Sequence, residues 1–137
     1  MKDSAREAER WLRQADNDLE FARLALREGF FHQVCFIAQQ AAEKAVKAVA
    51  YAAGERVVLG HSIVELLERL DLDVRPIDEL REAAGRLDQY YVATRYPNGL
   101  PGGVPFEAFG ARQAEDAARD AERFVALAAS RVRGNPA

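Results

Sequence analysis

His61, Arg95 and Tyr96 are the residues of this 137-residue sequence whose types suit chemistry on a phosphorylated ligand. An imidazole changes charge near neutral pH and serves as acid, base or hydrogen-bond partner. An arginine grips phosphate oxygens with a planar fork, and a tyrosine offers a stacking face beside a hydroxyl. His61 opens the run His61-Ser62-Ile63, and Arg95-Tyr96-Pro97 stands where a glycine-rich loop begins, with Tyr90 and Tyr91 just before it. Lys47 is a further residue of interest, in the run Gln39-Gln40-Ala41-Ala42-Glu43-Lys44-Ala45-Val46-Lys47-Ala48. Each residue also has a plainly structural use. His61 can cap a helix, Arg95 can satisfy carbonyls at a helix end, Tyr96 can pack beneath the loop, and Lys47 can pair with Glu43 four residues earlier.

Other chemistries find less support. Neither histidine has a partner at metal-ligand spacing, no Ser/His/Asp signature is legible, and the pairs Asp71/Asp73 and Glu65/Glu68 read as a solvated acidic face. Gly102-Gly103 lacks the strand-loop-helix context of a phosphate loop. No cofactor or metal is therefore expected, although a nucleotide such as ATP remains a candidate ligand. Cys35 is the single cysteine, flanked by Val34 and Phe36, and reads as an inert core thiol. A chain with no possible internal disulfide suits a reducing cytoplasm, and neither a signal-peptide start nor an apolar stretch of the ~20 residues needed to span a bilayer is present. A net charge of -3 argues against a general grip on duplex DNA or an anionic membrane.

The elements that must position these groups are helices. Ser4 and Glu7 have capping-box spacing, and Ala8, Leu12, Ala15, Leu19, Ala22 and Leu26 repeat on one face up to Gly29. A second helix from about Phe31 to Gly54 turns Val34, Ala38, Ala41, Ala45, Val49 and Ala52 the same way. After a connector from Gly54 to Gly60, His61 or Ser62 caps a short helix running through Leu70. Pro76 starts a fourth that carries Leu80, Ala83, Ala84, Leu87, Tyr90 and Tyr91 to about Thr94. The stretch Pro97 to Pro105 excludes regular structure, and a last helix runs from about Ala111 to Val132 with Ala114, Ala117, Ala121, Phe124, Val125 and Ala128 inward. The pattern predicts one all-α domain over 1–137: an antiparallel up-down bundle of four long helices with one short helix inserted, and a tail fraying from about residue 133.

The QQAAEKAVKA run, His61-Ser62-Ile63, Leu87-Asp88-Gln89-Tyr90-Tyr91 and Arg95-Tyr96-Pro97, in this order and at these helix edges, resemble a HEPN domain. Trp11-Leu12, Ala15 and Asp18-Leu19 extend the resemblance to the first helix. It implies a bundle that self-associates as a homodimer, often encoded beside a minimal nucleotidyltransferase, sometimes in a toxin-antitoxin-like pair. It also implies nucleotide or RNA binding, with His61, Arg95, Tyr96, Tyr90 and Lys47 as the ligand-binding set. Some HEPN proteins are metal-independent ribonuclease toxins that use an arginine followed four to six residues later by a histidine. Arg56 and His61 fit that spacing, and so do Arg27 and His32. The family's nuclease motif sits on a helix, however, and Arg56 lies in a glycine-flanked connector. A regulatory nucleotide-binding partner, a ribonuclease toxin and a purely structural dimerisation module are the three readings that follow.

Overall fold

The computed structural model describes residues 3–70 and 74–134, with side chains from 78 onward in the second stretch. Seven α-helices follow one another among the described residues: α1 (Ser4–Glu28), α2 (Phe31–Ala52), α3 (Ile63–Arg69), α4 (Val74–Asp88), α5 (Tyr90–Ala93), α6 (Pro105–Ala108) and α7 (Ala111–Arg133). Among these residues no strand occurs, and none of their helices is long and apolar enough to cross a membrane. The all-α bundle expected from periodicity is what forms. The carboxylates Asp71 and Asp73 and the tail 135–137 lie outside the described residues.

Helix α2 is the axis of the bundle. It packs along α1 and α7, and α3, α4, α5 and α6 also touch it. Surrounded in this way, it buries polar side chains together with apolar ones: Gln39, Glu43 and Lys47 disappear beside Ala38, Ala42, Val46 and Val49. The alanines at these positions let neighbouring backbones come close, while Leu12 and Leu19 of α1 and Phe124 and Val125 of α7 fill the space that remains. The predicted faces hold with small shifts: Ala25 is buried where Leu26 is half-buried, and Ala52 is exposed.

Three boundaries differ from the sequence reading. The cap of α1 is Asp3, whose carboxylate accepts from the Ala5 amide at 3.1 Å. Ser4 instead donates its hydroxyl to the Glu55 carbonyl at 3.0 Å, tying the start of the chain to the α2–α3 connector. The predicted fourth helix begins at Val74, so Pro76 occupies the first turn, where its missing N–H costs nothing, and it divides at Gln89 into α4 and α5. Finally, Pro97–Gly99 forms one 3₁₀ turn inside the stretch expected to be irregular, and Pro105 opens the short α6. Gly99 is required there: a Cβ would meet the Ala93 Cα at 2.9 Å, so the turn can fold back on α5 only with glycine.

The break at Gln89 follows a carboxylate with another task. Asp88 accepts from the Ser62 hydroxyl at 2.8 Å and from the amides of Ile63 and Val64 at 2.8 and 3.1 Å. The end of α4 therefore caps α3 from outside, while Ser62 caps it from within by accepting from the Glu65 amide at 3.2 Å. On the other side of α4, Arg86 forms a two-pronged pair with the buried Asp120 of α7, both contacts at 3.0 Å. The Asp120 carboxylate raises the pKa of that guanidinium above its ordinary value.

Asp88→Ala strands two amides and a hydroxyl at once and is expected to cost about 2–3 kcal/mol of stability, whereas Ser62→Ala costs about 1 kcal/mol. Urea denaturation of the two variants beside Asp78→Ala, whose side chain is more than half exposed, measures the difference.

Candidate functional site

A buried carboxylate organises the region where the sequence motifs meet. Glu43 is 4 % exposed in the middle of α2, and its Oε2 lies 3.2 Å from the Lys47 Nζ, itself 6 % exposed. The His61 Nδ1 approaches the same carboxylate at 3.3 and 3.4 Å. Gln39 completes the arrangement. Its amide nitrogen donates to the His61 carbonyl at 3.0 Å and approaches Glu43 Oε1 at 3.5 Å, and its oxygen accepts from Gln40 at 2.7 Å. An ionised carboxylate can only accept, so this contact requires a proton on Nδ1. In the neutral tautomer that meets this requirement, Nε2 can accept from a ligand, on a side chain that is 63 % exposed.

The imidazole is also stacked on Tyr91, with ring centroids 5.0 Å apart and planes at 18°. From there the site continues into a cation held by aromatic faces. The Arg95 guanidinium carbon lies 4.6 Å from the Tyr91 centroid, 4.7 Å from Phe36 and 5.2 Å from Tyr96. Its Nε donates to the Tyr91 carbonyl at 2.8 Å, the expected role of an arginine at a helix end, while the rest of the guanidinium remains at the exposed rim. Arg10, Arg23, Arg81, Arg86, Arg119, Arg123 and Arg133 all pair with carboxylates, and Arg95 has none within salt-bridge distance among the described residues.

Two members of the predicted set are not at this rim. Lys47 is enclosed, paired with Glu43, and set over the Trp11 ring at 5.2 Å, where Tyr51 stacks in turn. It acts on the site through Glu43. Tyr90 turns into the bundle, edge-on to Phe109 at 5.8 Å, and burial raises the pKa of its phenol. Arg56 lies exposed in the connector between α2 and α3. Phe36 and Tyr91 belong to the site although they were not among the predicted ligands. Tyr91 had a signal in its place beside the Arg95 motif, and Phe36 had none, since it reaches Arg95 from a helix nearly sixty positions earlier.

Two broad surface grooves lie elsewhere along α1, one beside Arg13, Asp16, Glu20 and Arg23, the other beside Arg10, Arg13, Gln14 and Lys44. Among their cations Arg23 pairs with Glu20 and Glu122, Arg10 with Glu7, and Lys44 with Asp18. Cys35 is fully buried, and burial pushes its thiol up to about 12. Among the described residues no group of three side chains could hold a metal ion.

The model of the HEPN domain matches residues 8–132, nearly the whole chain. The chain belongs to the HEPN domain family. Its bundle is similar to the crystal structure of TT1696 from Thermus thermophilus, with a TM-score of 0.85 and 40 % identity, covering 90 % of this chain and 97 % of that one. A second crystal structure, of ST0689, described as an archaeal HEPN homologue, gives a TM-score of 0.77 at 32 % identity over 96 % of this chain and 99 % of that one. A Methanocaldococcus jannaschii protein named "Putative toxin MJ1304" is 27 % identical over 127 residues, 86 % of this HEPN chain and 83 % of that protein.

Removing the charge at the centre of the network should be costly, because it leaves the Lys47 ammonium buried without a counter-ion. Glu43→Gln is expected to lower stability by about 3 kcal/mol in urea denaturation, and adding Lys47→Met should recover part of that loss.

Proposed function

We propose that this HEPN protein is a nucleotide- or RNA-phosphate-binding homodimer that serves as partner and regulator of a minimal nucleotidyltransferase, in a toxin-antitoxin-like pair. The observation that carries the reading is the exposed surface shared by His61, Tyr91, Arg95 and Tyr96. It offers a guanidinium with no carboxylate partner, an imidazole nitrogen able to accept, and aromatic faces at one helix end. Phosphate supplies the counter-charge that Arg95 lacks, and a base supplies a flat face for the tyrosines. Self-association is supported by large apolar side chains left in solvent, among them Phe21, Leu24, Phe30 and Phe106, at 46–67 % exposure. The M. jannaschii relative's name favours a place in a toxin pair.

Calorimetric titration with ATP tests the site. Arg95→Ala is expected to weaken binding by about 1.5–3 kcal/mol, the usual value of a hydrogen bond to a charged group, and Arg27→Ala should leave it unchanged. Equal effects from the two substitutions would remove the site from this rim.

One observation favours a second reading, the ribonuclease: Glu43 holds His61 by Nδ1 and frees Nε2 in the manner of a general base. Arg56 argues against it, because an exposed connector holds a guanidinium less firmly than a helix does. The purified protein is therefore expected to leave structured and single-stranded RNA intact without added metal. Cleavage abolished by both Arg56→Ala and His61→Ala would install the ribonuclease instead.

A further inference from the structure

The rings of Phe36, Tyr91 and Tyr96 surround the Arg95 guanidinium at 4.6–5.2 Å, and no carboxylate among the described residues shares in holding it. A guanidinium and a nucleobase are both flat and conjugated, and aromatic side chains stack on either. We propose that these three rings form a nucleobase slot which Arg95 occupies in the free protein, so that an incoming base displaces the guanidinium and thereby delivers it to the ligand's own phosphates. The inference rests on the nucleotide-binding reading above and specifies where the base goes and what guards its place.

The geometry permits the exchange. Arg95 is exposed, and one hydrogen bond, from its Nε to the Tyr91 carbonyl, holds the guanidinium among the rings. Rotation about the aliphatic bonds of the side chain breaks that bond and carries the guanidinium outward, leaving the carbonyl to water. Three ring contacts and one hydrogen bond are lost when it leaves, and two things replace them: the base against the rings, and phosphate against the guanidinium. A ligand with both parts recovers more than it disrupts. A nucleoside without phosphate displaces Arg95 and gives it nothing in return, so Arg95 opposes nucleosides and favours nucleotides at one position. A free cation fares worse, because the displaced guanidinium would stay beside it with the same charge. Phe36 comes from α2, while Tyr91 lies in α5 and Tyr96 shortly after its end, so the slot exists only where the two segments meet.

Opposite responses of two ligands to one substitution separate this device from a simple phosphate site. Calorimetry of the full chain with adenosine and with ATP should show Arg95→Ala binding adenosine roughly three- to tenfold more tightly than the wild type, by removal of the resident cation. ATP should bind the same variant roughly ten- to a hundredfold more weakly, by loss of its phosphate contact. Arg95→Gln, which keeps most of the side chain, should shift both ligands in the same directions and guards against misfolding of the alanine variant. Adding Phe36→Ala to Arg95→Ala should abolish the gain for adenosine, and methylguanidinium should compete with adenosine in Arg95→Ala. Adenosine binding left unchanged or weakened by both Arg95 substitutions, while wild-type ATP binding persists, would overturn the slot and leave the phosphate site standing. Absence of binding by either ligand to every form would overturn both.

Discussion

A carboxylate removed from water must be given counter-charges and hydrogen bonds, or it does not stay charged. Glu43 sits at the centre of the helix that every other long element packs against, so its requirement falls on the whole bundle. Lys47 answers from one turn further along α2, His61 from the connector that returns after it, and Gln39 joins the carboxylate to the His61 backbone. The desolvation of one acidic group thus fixes where the α2–α3 connector ends. It also explains how a side chain as exposed as His61 comes to have a defined orientation.

From that point a second carboxylate carries the constraint outward. Asp88 caps the helix that starts just after His61, which locks the end of α4 beside the connector and ends α4 at that residue. Tyr91 follows on α5, within stacking distance of His61, and Arg95 follows one turn later against Tyr91 and Phe36. The candidate site is therefore built at the meeting of three segments rather than on any one of them. Arg95 and Tyr96 face solvent and Phe36 and Tyr91 are half-buried, while Gln39, Glu43 and Lys47 behind His61 are buried.

Aromatic contacts separate Arg95 from the arginines that are paired with acids. Seven of those lie beside carboxylates on the same or another helix, as Arg86 does with Asp120 and Arg133 with Glu9, and such pairs are largely neutral toward an approaching anion. Arg95 has aromatic faces where these seven have carboxylates. A chain with a net charge of -3 can thus still offer a guanidinium to an anion at this rim.

The bundle and most of its inward faces were legible in the sequence, because a helix in water must repeat its apolar residues every three or four positions, as Ala8, Leu12, Ala15 and Leu19 do. The motifs around His61 and Arg95 were legible too, since their residue types and their positions at helix ends are local properties. Local properties could not show which of these side chains face each other. Glu43 and Lys47 have the spacing of an ordinary surface pair, and only the packing of α1 and α7 around α2 buries them and turns them into the support for His61. Tyr90 and Tyr91 are adjacent and chemically identical, yet one faces Phe109 in the bundle and the other His61 at the rim. Phe36 meets Arg95 because two helices cross there, and the helix break at Gln89 follows from Asp88 capping a different helix. Periodicity is written along one chain segment at a time; contact between segments distant in sequence is decided by how their surfaces fit.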